Sequence, residues 1–595
     1  VTDVLDYAAP PTRPAARSLR FAAWVVLVAG ALAGMPAWIA WTGSGRWTPL
    51  DVVVQRVTLG WQLFSAAIVA FGLLLATTPA DAIKLRPKRS VAIVCAGAVL
   101  LQTASLTFLS PILSRDVARY RAEGKMWLAG VSPYVRSPAT VNEGGGGGSL
   151  FRSEQFDQPW NDRLDLVVDH AGVSSLYLPT SQAFFVLGAA IERCVVRPPP
   201  IALAWQDGSF DVSMLQAGES RGEPWPLRFT TFRLLAALFV VLTTFVLCRT
   251  LLRLGRSVWW AALFAWHPLT VVETGGMGHQ DALGVLLLVC GIASYLKRNP
   301  PRVAEPLAAV RPLPLSPRER VGVRASEGDA ALEAVAEPAT NADALPHPNP
   351  LPAGEGTDAA QSAIGNGQSA ILLPTLWLAA ATLVKPIAFA ALPVILLTAW
   401  RRGQARAAAG AAMVYLAATI LPTVALISYQ NGWPGFLRTA NLYSTQWVAN
   451  SLAYHVSTKA LWVIQGPDHF DGPAVNLLVR KAFTAVTGLI ALVVWWRSRD
   501  PVRAAYLVTL AACLLSPTLY PWYLLWALCL VPLLKRPAGW SVLVWAGTSV
   551  LCYQTHPQGH AMIGGVLLSI EYVPVLLTLA AELWLLGRHS KIRSA

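Results

Sequence analysis

Apolar runs long enough to cross a bilayer recur along almost the whole chain, and no other feature narrows its fold so far. A hydrocarbon core takes about 20 helical residues to span. Runs of that order fall near 21–42, 58–78, 90–112, 229–252, 257–274, 280–297, 407–429, 478–496, 538–556 and 561–587. Two more, 371–400 and 503–534, carry Lys385-Pro386 and Tyr520-Pro521 near their midpoints. Proline lacks an amide donor and disfavours a helical residue before it, so each of these reads as a hairpin of short or broken helices. In lipid only a helix or a closed barrel satisfies its own backbone. Runs this long therefore predict an all-α polytopic membrane protein, a bundle of about 12–14 transmembrane helices.

Charge gives the bundle a direction. Only 13% of residues are charged, against about 25% in a soluble domain. A net charge of +14 would suit a nucleic acid if it lay on one basic face. Instead it sits in short clusters at the ends of apolar runs: Lys84 to Arg89, Arg249 to Arg256, Lys297-Arg298, Arg401 to Arg406, Arg497 to Arg503, Lys535-Arg536 and Arg588 to Arg593. Such clusters mark cytoplasmic ends, and no nucleic-acid partner is expected. With a cytoplasmic tail at 1–20, all of them fall on one side. Asp116, Glu273, His279, Asp281, Lys385, the 430–476 loop, Tyr520 to Tyr523, His556 and His560 then fall on the other. This count requires the run Leu176 to Val196 to be re-entrant or interfacial.

The division that follows is an N-terminal transmembrane half at 21–297 with an external loop at 113–228, and a C-terminal half at 371–587 with a tail at 588–595. Between the halves, 298–370 is rich in Pro, Ala and Glu without apolar periodicity, and is expected to be a disordered cytoplasmic linker or insertion. Arg13, Arg17 and Arg20 precede the run Phe21 to Trp41, which is longer than a signal-peptide core of about 7–15 residues. An uncleaved first span is expected. The seven cysteines lie mostly in apolar runs without paired or metal-type spacing, and read as small core residues.

The richest polar stretch is DVARYRAEGKMWLAGVSPY, Asp116 to Tyr134, at the start of the external loop. Mixed charge crowds its first part, and Gly130, Pro133 and Tyr134 suggest a turn. It resembles, in register, a signature of bacterial membrane glycosyltransferases of the GT-C superfamily, those of family 87 and related mannosyltransferase-like proteins: D-x-x-R-Y-x-x-D-G-R, four residues, G-x-x-P-Y. Asp116, Arg119, Tyr120, Gly124, Gly130, Pro133 and Tyr134 match, while Glu123 and Lys125 stand in the places of Asp and Arg.

Weaker likenesses follow along the chain. Asp169-His170 and then Tyr177, Pro179 and Gln182 resemble the family's N-H followed by I-Y-P-P-L-x-Q. Glu273 leads to His279-Gln280-Asp281, which resembles G-H-N-D-A-L. A capped helix start, with Asp281 at the positive end of the dipole, is an equal reading of that stretch. Lys385 resembles the T-K-P turn; a phosphate-binding cation and a lysine snorkelling to the headgroups both fit it. Ser516-Pro517 through Tyr520, Trp522 and Tyr523 resembles S-P-x-x-H-P-W-Y, where a sugar-stacking surface competes with an interfacial aromatic belt. Glu571-Tyr572 with Pro574 resembles E-Y-x-P.

The resemblance implies a GT-C-like bundle in the bacterial inner membrane, its site facing the exterior. It implies a polyprenyl-phosphate sugar donor, with mannose the expected sugar, and a lipid or glycan acceptor. Asp116 would be the general base, and Arg119, Lys125 and Lys385 would hold the donor phosphate. Tyr120, Glu123, Tyr134, His170, Tyr177, Gln182, Glu273, His279, Asp281, Tyr520, Trp522 and Tyr523 would line the substrate site. Whether a divalent ion joins His279 and Asp281 is open, since a carboxylate base needs no metal. The chain has neither a G-x-x-x-x-G-K-[ST] loop nor a G-x-G-x-x-G turn between strand and helix, which agrees with a lipid-borne donor. A transporter or flippase of lipid-linked sugars is the alternative from another class, as is a family member that binds polyprenyl lipid without turnover. Intramembrane charges and broken helices also mark transport paths.

Overall fold

The structure is a computed structural model that describes residues 34–42, 50–77, 87–109, 111, 113–114, 116–138, 172–195, 230–299, 371–466, 471–535, 539–554 and 565–594. His170, His556, His560 and residues 300–370 of the expected linker lie outside them. Helices account for the architecture, and the only β pairing among the described residues is an isolated parallel bridge between Ala449 and Thr518. In chain order the N-terminal helices are α1 (Leu50–Thr77), α2 (Pro87–Phe108), α3 (Asp116–Leu128), α4 (Pro179–Val195), α5 (Thr230–Arg253) and α6 (Asp281–Arg298). After the expected linker come α7 (Ile371–Thr382), α8 (Leu392–Arg401), α9 (Ala405–Ser428), α10 (Trp433–Gln446), α11 (Leu452–Gln465), α12 (Gly472–Arg497), α13 (Pro501–Leu515), α14 (Trp540–Thr548) and α15 (Gly565–Ser594). Six helices among the described residues are long and apolar enough to cross a membrane; five lie within α1, α2, α5, α12 and α15, and the sixth is α9 continued to Asn431. The chain is an all-α polytopic membrane protein, as its apolar runs predict.

The two halves share one core. Trp61 of α1 donates its indole N–H to the Ala546 carbonyl of α14 at 2.8 Å, and a single cluster of buried apolar side chains runs from Met35 to Val575. Elsewhere the surface turns outward what a soluble protein would hide: Leu59, Leu63, Leu421, Leu489 and Leu577 are all exposed, as suits helices whose solvent is lipid.

Three segments depart from the expectation, one of them the run 538–556, read as a crossing but built of the nine-residue α14 and a 3-10 turn at Ser549–Gln554. The run 257–274, read as one crossing, is broken into short pieces, Val258–Ala261, Ala262–Ala265, Pro268–Val271 and a π-helical turn at Val272–Gly276. The reason is local. Pro268 forces a new helix start, and His267 caps it by accepting the Leu269 N–H on Nδ1 at 3.1 Å.

The external loop, in turn, opens with a helix. Asp116 at its first position favours the positive end of the dipole, and Gly130, at φ +75°, closes it. Val131 N–H reaches back to the Met126 carbonyl and Gly130 N–H to that of Trp127, both at 2.9 Å, the paired bonds of a Schellman ending. Helix α4, formed by the run expected to be re-entrant or interfacial, packs along α3. Gly124 allows the approach: a Cβ there would sit 2.1 Å from the Phe185 carbonyl oxygen.

Candidate active site

At about 100° per residue, Asp116, Arg119, Tyr120 and Glu123 share one face of α3 while Arg121 and Lys125 take the opposite one. The structure divides their work accordingly. Arg119 Nε donates to Glu123 Oε1 at 2.8 Å, and its Nη2 to the carbonyls of Val173 and Ser174. The second oxygen of Glu123 accepts from Ser175 Oγ and Gln182 Nε2, each at 2.7 Å. Gln182 also accepts the Trp127 indole N–H at 2.8 Å, and Tyr134 donates its hydroxyl to the Tyr177 carbonyl. Five residues expected to touch substrate, Arg119, Glu123, Tyr134, Tyr177 and Gln182, thus knot α3 to the 172–178 segment and to α4. On the far face Arg121 and Lys125 both meet Glu192 of α4. Lys125 is not brought to Asp116.

Asp116 looks the other way, toward the turn that opens α6. His279 is fully buried there, with Nδ1 3.8 Å from Asp116 Oδ2 and Nε2 3.3 Å from Glu273 Oε2. The Tyr120 hydroxyl stands 3.5 Å from both Asp116 Oδ2 and His279 Nδ1. Burial, with the Asp116 charge adding to it, holds the Tyr120 phenol well above its ordinary value, so it stays a donor. Glu273, also fully buried, accepts the Tyr553 hydroxyl on its other oxygen at 2.7 Å. The imidazole lies flat on Trp522, ring centres 4.0 Å apart, and Trp522 in turn lies on Tyr520 at 4.6 Å.

Two residues beyond His279, Asp281 is 2% exposed at its side chain and accepts from Lys385 Nζ at 2.7 Å and the Trp526 indole N–H at 2.6 Å. The ammonium of Lys385 also sits 3.4 Å from the centre of the Tyr523 ring, whose hydroxyl meets that of Tyr443 at 3.2 Å. The 279–281 turn therefore joins a carboxylate and an ammonium that both reach the surface. Asp116 is 26% exposed and Lys385 24% at their side chains, while the partners behind them are buried.

Residues 449–585 match the family model described as the MptB C-terminal domain. That is a domain of mannosyltransferases of the GT-C kind, and the match supports a mannosyltransferase-like membrane protein. No curated protein and no solved structure matches the chain. The matched stretch carries Tyr520, Trp522, Tyr523 and Tyr553, whereas Asp116, Glu273, His279, Asp281 and Lys385 lie before it. The candidate site thus draws on both halves, and the matched part supplies its aromatic residues.

Sequence reading misses several residues of this centre. Trp526 lies three positions past Tyr523, and Tyr443 lies in a loop expected on the same side, so each carried a faint signal. Tyr553 and Arg233 carried none. Arg233, buried in α5, donates to the carbonyls of Ser105, Leu109 and Gly275 and ties the end of α2 to the turn that bears His279. Among the described residues no three His, Cys, Asp or Glu side chains gather as a metal-binding group.

Proposed function

We propose that the chain moves mannose from a polyprenyl-phosphate donor to a lipid or glycan acceptor on the extracytoplasmic face of the inner membrane, with inversion. One observation carries the reading: a part-exposed carboxylate and a part-exposed ammonium are held together by one buried turn. Glycosyl transfer from a phosphate needs a base to take the acceptor proton and a cation to hold the departing charge. Asp116 takes the hydroxyl proton as the acceptor oxygen bonds to the anomeric carbon and the carbon–phosphate-oxygen bond breaks. Its electron pair stays with the phosphate, which draws Lys385 from Asp281.

His279 stands behind the base with Nδ1 3.8 Å from Asp116 Oδ2 and Nε2 3.3 Å from Glu273 Oε2, its ring laid against Trp522. Tyr520, Tyr523 and Tyr443 offer hydroxyls and ring edges to a sugar, with Trp522 buried behind them and stacked on both His279 and Tyr520. The basic ends support the orientation. Arg402 bonds Asn299, Arg401 bonds the carbonyls of Trp496 and Ser498, and Arg256 bonds those of Leu533 and Leu534, so clusters expected on the cytoplasmic side meet one another.

The test is transfer of radiolabelled mannose from polyprenyl-phosphate mannose to a membrane lipid extract by nanodisc-held protein, wild type beside Asp116→Asn. Transfer by the wild type alone is the expected result. Equal transfer by both removes Asp116 from the reaction, and transfer by neither leaves transport or lipid binding as the reading to pursue.

A further inference from the structure

A second buried carboxylate lies away from this centre, in the membrane-spanning helix α15. Glu571 is 0% exposed, and its Oε1 accepts two bonds at 3.0 Å, from Asn450 Nδ2 and from the Trp545 indole N–H. Its other oxygen, Oε2, has no hydrogen-bond partner, and neither has Asn450 Oδ1. Two acceptors are thus left over on the very pair of side chains that already share one bond. Among the described residues no ion pair reaches Glu571, and its titratable neighbours are Tyr572 and Cys552. A buried carboxylate without a cation is costly, and each buried acceptor left without a donor adds to the cost.

One proton removes both difficulties. An acid and a primary amide close an eight-membered ring in which the amide N–H donates to one carboxyl oxygen and the acid O–H to the amide oxygen. The first of these bonds is present, and the atoms of the second are the two left without partners. We propose that Glu571 works as a neutral acid that closes such a ring with Asn450, and that this ring positions the aromatic wall of the active site.

The route to that wall is short. Asn450 is one of three non-glycine residues with positive φ among those described, at 48°, a left-handed turn that asparagine adopts more readily than most side chains. Its carbonyl accepts the Tyr572 hydroxyl at 2.6 Å. The residue before it, Ala449, forms the parallel bridge with Thr518: Ala449 N–H donates to Pro517 and Leu519 N–H donates back to Ala449, at 3.1 and 2.8 Å. Thr518 Oγ1 also donates to the Trp447 carbonyl at 2.6 Å. Directly after this bridge come Tyr520 and Trp522, of which Trp522 stacks upon His279 and Tyr520 upon Trp522. Glu571 is accordingly a positioning residue, acting through Asn450. The positioning role rests on the transfer reaction proposed above, whereas the ring does not.

Glu571→Gln decides the matter, because glutamine reproduces the neutral ring, its N–H donating where the acid O–H did. It is expected to match wild type in thermal stability and in transfer. Glu571→Ala strands the Asn450 amide and the Trp545 N–H; it is expected to lose thermal stability, and about a hundredfold in transfer, the cost of a site displaced by about an ångström. The infrared difference between wild type and Glu571→Gln at neutral pH should show a carboxylic-acid carbonyl band. A carboxylate band in its place, or a Gln variant that is folded and yet inactive, overturns the neutral acid. A Gln variant as unstable as the Ala variant does the same, and an Ala variant equal to wild type removes the positioning role. If the chain transfers no sugar at all, stability and the infrared band still judge the ring.

Discussion

Asp116 and Glu123 stand seven residues apart on one face of one short helix, and they spend their charge in opposite ways. Glu123 is wholly buried, and both its oxygens are used by Arg119, Ser175 and Gln182. Every bond it makes returns to the protein, and nothing is left to offer a substrate. Asp116 is partly open, with His279 at 3.8 Å and Tyr120 at 3.5 Å on its buried side. A buried acid whose oxygens are used up inside the protein is a structural joint, whereas an acid with a view of the surface can meet a substrate's proton. Lys385 continues the second pattern: it is paired to Asp281 yet a quarter exposed, and so able to exchange that partner for a phosphate.

The comparison is broken most severely at Asp116. Asp116→Asn should lower transfer by about 10²–10⁴-fold, the usual worth of a general base, while thermal stability stays at the wild-type level. A comparable loss of stability would make Asp116 a joint as well. Next in size is Lys385→Met, expected to cost about 10²–10³ in the rate of transfer. It also leaves the buried Asp281 charge without its cation, so the melting temperature should fall. Adding Asp281→Asn should restore the melting temperature and leave the rate low. Recovery of the rate in the double variant would show that Lys385 serves only to neutralise Asp281.

The third effect lies on the other side of the comparison. Glu123→Ala strands the Arg119 guanidinium among buried carbonyls, and breaking a buried pair costs about 3–5 kcal/mol. The yield of folded protein and its melting temperature should drop, and the rate per folded molecule should stay within a few-fold of wild type. A normal melting temperature with a vanished rate would move Glu123 into the chemistry and end the distinction.

How much of this was legible in the sequence follows from what each signal depends on. The bundle was legible because an apolar run of membrane length has few alternatives in lipid, and Pro386 and Pro521 announced broken helices in the right places. The centre was half legible: Asp116, His279, Asp281 and Lys385 were singled out by charge where charge is costly. Their division of labour was hidden, since one stretch of mixed charge reads the same whether it forms a loop or a helix. Only the helix separates Asp116 from Lys125. The partners behind the site were hidden for another reason. Tyr553, Trp545 and Asn450 meet their acids, and Arg233 its backbone carbonyls, across more than twenty residues of sequence, and tertiary hydrogen bonds leave no periodic trace.

The smallest expected effect is at Lys125, and it sharpens the comparison most finely, because the signature would count this lysine among the phosphate ligands. Its Nζ is 3.8 Å from Glu192, which Arg121 already holds more closely. A partly exposed second cation on an acid that keeps its first is worth little, within about 0.5 kcal/mol. Lys125→Ala should therefore leave the melting temperature, the rate and the KM for the lipid donor unchanged, in contrast to Lys385→Met. A donor KM raised tenfold by Lys125→Ala, with stability intact, would mean that the phosphate reaches the far face of α3. The functional surface would then wrap around the helix, and the contrast between its two acids would belong to one half of a larger site.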